Sequence, residues 1–141
     1  MDLSTLLRTK VFELRNEYPG AQVEAHVESG LTVSADRRLN LAVEQLLSNA
    51  IEHNDAEVPT VRLEATASEP DVVIEISDNG PGIPETELEP LRAGMETALE
   101  HTSGLGLWIA NWIVEASGGT LSFAANDPRG TVVRIELPPP D

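Results

Sequence analysis

Cysteine is absent from the 141-residue chain, which removes disulfides and thiolate-held metals together. The three histidines, His26, His53 and His101, show neither H-x-x-x-H nor H-E-x-x-H spacing, which counts against a zinc site. No apolar run approaches the roughly 18 residues of a membrane-spanning helix. The opening MDLSTLLRTK lacks the basic start and long apolar stretch of a secretion signal. Lysine is nearly missing as well, with Lys10 alone beside eight arginines. Twenty-four acids against nine bases leave a formal net charge of −15. That charge counts against non-specific binding to DNA, RNA or an anionic membrane surface, so neither nucleic acid nor direct membrane contact is expected. The acids are scattered along the chain and so belong to a folded surface. Scattered acid with one lysine suggests a salt-rich source, where counterions relieve self-repulsion.

What is present suits one compact domain, since 40% of the residues are apolar. STLLRTKVFELRNEY sets Leu6, Leu7, Val11 and Leu14 on one face of an amphipathic helix that Pro19-Gly20 ends. AQVEAHVESG alternates as a half-buried strand, with LTVSA expected as its partner. From Asp36 a long helical pattern runs through Leu39, Val43, Leu46, Leu47, Ala50 and Ile51. TVRLEATA and DVVIEISD alternate cleanly and form an antiparallel pair joined by SEP. GLGLWIANWIVEAS is apolar over most of its surface, predicting a buried helix, and GGTLSFAA with GTVVRIELP makes a last hairpin. This order predicts helices packed on one face of a mixed sheet.

The segment SDNGPGIP, residues 77–84, breaks the pattern. Asp-Asn-Gly is a tight-turn signal, yet no second strand follows, only a rigid loop and the acidic ETELEP. Three other stretches accompany it. Gln45, Asn49 and His53 form one row on their helix, and an amide at Asn49 offers a carbonyl oxygen suited to Mg²⁺, with an ordinary helix-surface asparagine as the bland reading. Asp78 is an acceptor-only carboxylate matched to a purine amine, or simply a turn residue. SGLGLW, residues 103–108, opens a helix whose N-terminal amides favour phosphate, although it is neither a P-loop nor a dinucleotide fingerprint. Gly130-Thr131 alone reads as turn chemistry.

In this order, LLSNAIEHN, DNGPGIP, SGLGLW and the late GGT…RGT resemble the N, G1, G2 and last glycine boxes of histidine kinases. The resemblance is to the ATP-binding catalytic domain shared with gyrase, Hsp90 and MutL, and spans about residue 30 to Pro138. It implies an α+β, two-layer sandwich with a mixed sheet covered on one face by helices, in a cytoplasmic domain. By this resemblance Asp78 binds the adenine amine, Gly80 and Gly82 shape the adenine pocket, and Ile83 lies against the base. Asn49 holds Mg²⁺, His53 joins the nucleotide site, and Ser103, Gly104, Leu105, Gly106 and Leu107 wrap the phosphates. Thr131 lies beside Asp78, and residues 84–102 form an ATP lid. Residues 1–20 are expected to connect to a helical domain outside this sequence, and 21–141 to form the ATPase domain. ATP and Mg²⁺ are the implied cofactors. The implied partners are a phosphoacceptor-histidine helical domain of the same protein and, indirectly, a response regulator.

The pattern departs from the family at several positions. A basic residue usually lies three after the N-box asparagine, where this chain has Glu52. LEPLR resembles a degraded F box, leaving Arg92 as a replacement phosphate contact or a solvated residue, and His101 is a second candidate. Gln45 stands where ATP-hydrolysing cousins carry a glutamate that activates water. Glutamine is no general base at neutral pH, so transfer to a histidine is favoured over hydrolysis. The alternatives are a stand-alone serine kinase of the anti-sigma type and a catalytically decayed nucleotide-binding module.

Overall fold

The computed structural model describes residues 1–82 and 105–140. Its elements run α1 (Leu3–Glu17), β1 (Gln22–Val27), α2 (Leu39–Glu52), β2 (Thr60–Ser68), β3 (Asp71–Asp78), α3 (Leu105–Ala116), β4 (Thr120–Ala125) and β5 (Thr131–Leu137). They form one five-stranded sheet in the order β1-β2-β3-β5-β4, with only the β1–β2 pair parallel. The parallel pair requires a crossover, and α2 supplies it. Residues inside this mixed sheet alternate: Val61, Leu63 and Ala65 on β2, Ile74 and Ile76 on β3, and Val133, Ile135 and Leu137 on β5 are buried. These side chains meet Leu39, Val43, Leu46 and Leu47 of α2, and Ala110, Ile113 and Val114 of α3. Each large aliphatic removed from water there contributes on the order of 1.5–3 kcal/mol. The opposite face carries Arg62, Glu64, Glu75, Arg134 and Glu136, with Arg134 bridging Glu75 at 3.5 Å and Glu136 at 3.0 Å. The two-layer α+β sandwich is therefore observed.

Helix α1 belongs to the same core. Asp2 caps it, its Oδ1 accepting from Thr5 N at 3.1 Å, and Leu3, Leu7, Val11 and Leu14 are buried. Its arginines occupy two carbonyls on the outer edge of β1. Gln22 N and Glu28 N donate towards the β2 side, to Pro59 O and Ala65 O, so Val23 and Val27 turn their carbonyls outward. Arg15 donates to Val23 O through Nε (3.1 Å) and Nη2 (2.8 Å), and Arg8 Nη2 donates to Val27 O at 3.0 Å.

Three expectations are corrected. LTVSA does not pair with β1: Thr32 bridges Asp2, while Leu31 O and Val33 N bond the chain at Leu3 and Met1. Alternation correctly marks Leu31 and Val33 as buried, but it does not choose a partner, and the start of α1 takes these backbone groups. Helix α2 begins at Leu39 rather than Asp36, because Asp36 Oδ1 accepts from Arg38 N (2.8 Å) in a local turn that delays the helix. Helix α3 is not buried all round, since Ile109 and Trp112 are 36% and 47% exposed. The Trp112 ring is covered by the Arg38 guanidinium 4.5 Å from its centroid, and Asp36 in turn pairs with Arg38 at 2.8 Å.

Candidate nucleotide site

Strand β3 ends at Asp78, directly opposite Val61 of β2. Instead of a hairpin, the next residues close an Asx turn, in which Gly80 N donates to Asp78 Oδ1 at 2.9 Å. Thr131 N, at the start of β5, donates to the same oxygen at 3.3 Å, and Thr131 itself is buried. Oδ2 receives no hydrogen bond from the described residues, so one carboxylate oxygen is left to accept from outside. Burial, the largest influence, raises the Asp78 pKa, and it is opposed by the Gly80 and Thr131 amides and by the positive charge of Arg129. Gly130 lies against this carboxylate with φ +108°; a Cβ there would fall 1.9 Å from Asp78 O, which no side chain can occupy. Gly82, at φ +90°, approaches Gly130 O and Thr131 Oγ1. Asp78, Gly80, Gly82 and Thr131 are thus brought together at one end of the sheet.

Side chains that sequence reasoning passed over complete this cluster. Asn126 Nδ2 donates to Asp78 O at 2.8 Å, and Arg129 Nε donates to Gly80 O at 2.9 Å. Arg129 also pairs with Asp55 in the loop after α2. Asn79 Oδ1 accepts from Thr60 N (2.9 Å) and from Asn54 Nδ2 (2.8 Å), while its Nδ2 donates to Val58 O (3.1 Å). Asn54 Nδ2 reaches back to Ala50 O at 3.2 Å, tying the end of α2 to the DNG loop. The available signals were the asparagine inside DNG and the turn sequence NDPRG, but each has an ordinary turn reading.

Asn49 is half-buried on the last turn of α2, and His53 is the exposed C-cap residue, its N donating to Asn49 O at 3.3 Å. No contact among the described residues joins either side chain to Asp78; the link runs through Asn54 and Asn79. Gln45 is exposed one turn earlier. Glu52, the unexpected acid, accepts from the Tyr18 hydroxyl at 2.7 Å and raises the Tyr18 pKa to about 12. Its carboxylate is held towards the end of α1. Leu105, Gly106 and Leu107 form the first turn of α3. Ile83, Arg92, His101, Ser103, Gly104 and the expected lid, residues 84–102, lie outside the described residues.

The arrangement offers one carboxylate acceptor in a half-buried setting, a glycine-lined approach to it, and an amide on a neighbouring helix suited to a hard cation. Residues 34–141 match the family described as histidine kinase-, DNA gyrase B- and HSP90-like ATPase. The nitrogen regulation protein NtrY of Azorhizobium caulinodans is 33% identical over 144 residues, covering 96% of this chain but 19% of that protein. The chain thus spans about a fifth of that relative's length. Among solved structures, the catalytic domain of the histidine kinase ThkA superposes with a TM-score of 0.81 at 26% identity, covering 98% of this chain and 92% of that one. Full-length ShkA in complex with AMPPNP gives a TM-score of 0.76 at 26% identity, covering 98% of this chain and 30% of that one.

Proposed function

The chain belongs to the histidine kinase-, DNA gyrase B- and HSP90-like ATPase family, and from that membership we propose that it is the MgATP-binding catalytic domain of a sensor histidine kinase in two-component signalling. The observation that carries the reading is Asp78: Oδ1 is fixed by two backbone amides, and Oδ2 accepts no hydrogen bond from the described residues. An adenine amine supplies a donor for Oδ2. Gly80 and Gly82 leave room for the base, and Thr131 closes the pocket from β5. Asn49 is the ligand for Mg²⁺, which when bound neutralises phosphate charge. Ser103 to Leu107 hold the phosphates through backbone amides, with His53 and Arg92 as further phosphate contacts.

In the proposed reaction a histidine nitrogen of a separate helical domain attacks the γ-phosphorus. The bond to the β–γ bridging oxygen breaks, and ADP leaves. This chain contributes positioning and electrostatics. The connection to that acceptor domain would lead into α1, which itself packs into the core, and a response regulator is the downstream recipient. Gln45 cannot activate water, so phosphoryl transfer to histidine is favoured over hydrolysis.

The test is calorimetric titration of the chain with a non-hydrolysable ATP analogue and Mg²⁺, alongside Asp78→Asn and Asn49→Ala. Asp78→Asn should weaken binding by about tenfold or more with or without Mg²⁺. Asn49→Ala should weaken it only when Mg²⁺ is present. A folded chain that does not bind, or variants that bind like the parent, would refute the proposal.

A further inference from the structure

Arg129 opens the late RGT stretch, in which only Gly130 and Thr131 are candidates for the site by sequence, yet its side chain joins three separate segments. It rises from the β4–β5 turn, donates through Nε to Gly80 O at 2.9 Å, and turns its other end to Asp55 beyond α2. The same turn sends Asn126 Nδ2 to Asp78 O and Thr131 N to Asp78 Oδ1. The side chains of Arg129 and Asp55 are 46% and 65% exposed, so their ion pair by itself stabilises the fold very little. Its significance is geometric, because a planar guanidinium that bonds a carbonyl with one edge and a carboxylate with another fixes both distances at once.

We propose that Arg129 is a positioning residue for nucleotide binding, a clasp that holds the Gly80 carbonyl and thereby sets the Asp78–Gly80 turn against the base, with Asp55 controlling how much of its charge is felt there. The proposal rests on the reading that Asp78 accepts from the adenine amine. Among the described residues the charged groups around Asp78 are few. The facing positions on β2 and β5, Val61 and Thr131, carry no charge. From the β4–β5 turn Arg129 faces the carboxylate, with Asp127 exposed nearby. At the end of α2, Glu52 is bound to Tyr18 and His53 is exposed, while Asp55 lies behind Arg129.

Two substitutions separate positioning from mere support, because they remove opposite charges from one clasp. The probe is ADP without metal, titrated into the whole chain by calorimetry from neutral to acid pH, with thermal unfolding of each variant as a folding control. Arg129→Met should weaken ADP about fivefold at neutral pH. It should also move the acid loss of binding to higher pH, since the carboxylate loses its cation. Asp55→Asn should move that loss to lower pH, since the guanidinium then acts unneutralised. Arg129→Lys should keep the pH profile of the parent while losing affinity, because an ammonium cannot span both partners. Shifts in the same direction for Arg129→Met and Asp55→Asn, or no shift in either, would overturn the proposal. If Asp78→Asn binds ADP like the parent, the adenine reading itself has failed. If Asp78→Asn loses ADP while Arg129→Met does not, the clasp alone is wrong.

Discussion

Around Asp78, five side chains and three backbone amides hold one another in a closed network. At the other end of the candidate cleft, by contrast, Asn49 and His53 project from the end of α2 with no such bracing among the described residues. The difference follows from what each end is proposed to meet. A base edge presents fixed donors and acceptors, so its receptor gains by being rigid beforehand. Phosphates and their cation bring their own charge and coordination geometry. Amides and a helix start suffice to receive them, the latter equivalent to roughly half a positive charge.

The comparison breaks most severely at Gly130. Gly130→Ala must push a methyl group into Asp78 O, with a left-handed φ in addition. We expect a loss of about 3 kcal/mol or more in urea unfolding, together with loss of nucleotide binding. An equivalent change at the α2 end, Asn49→Ala, should leave the unfolding midpoint nearly unchanged.

Next in size is the uncoupling of stability from binding at Asp78. Its pKa is raised by burial, so the folded chain holds that proton more tightly than the unfolded one. The group therefore favours folding below the ordinary carboxylate pKa, and that contribution is lost as pH rises through the folded value. Asp78→Asn removes a half-buried titratable carboxyl group and keeps an acceptor for Gly80 N and Thr131 N. Its melting temperature at neutral pH should equal or exceed that of the parent, although adenine binding is lost. On acidification the parent should close the gap. A lower melting temperature at neutral pH would show that the carboxylate holds the turn together in its charged form.

The same raised pKa predicts that ADP binding falls on acidification at a higher pH than an unperturbed aspartate would give, measured by titration in a series of buffers. Asp78→Asn should show no such limb. The smallest effect concerns the whole surface. With a net charge of −15, a polyanion is repelled at a distance, and at about 1 M salt the Debye length shrinks to about 3 Å. ATP-analogue binding should therefore be tighter in molar KCl than in dilute buffer, with ADP showing a weaker dependence. A flat or reversed dependence would place the governing electrostatics within the cleft.

The layered fold could be read from the sequence because burial periodicity differs between strand and helix. The alternation of TVRLEATA and DVVIEISD and the long apolar row of α2 each specify a buried face. Partner choice could not be read so directly. Leu31 and Val33 alternate like a strand but bond the start of α1, and the apolar excess of α3 concealed an exposed Trp112 under Arg38. At the site, residues that must be of one type stood out, such as the glycines and Asp78. Asn54, Asn79, Asn126 and Arg129 did not, because their roles depend on three loops distant in sequence meeting in space. Glu52 stands where the family usually carries a basic residue, and no local pattern announces that Tyr18, 34 residues away, holds its carboxylate.

The arginines on β1 have a consequence for assembly. Val23 and Val27 turn their carbonyls outward, and Arg15 and Arg8 occupy them. On β4, the bond from Asn126 N to Gly130 O and the strand register direct the odd-numbered groups, Leu121, Phe123 and Ala125, outward. That strand, TLSFAA, carries no charge. Among the described residues nothing bonds those outward groups of β4, so the two edges of the sheet differ and growth has a polarity. Two copies meeting across β4 would satisfy each other about a two-fold axis and leave only arginine-capped strands outside. Edge-to-edge association across β4 would therefore favour a closed pair over a growing stack.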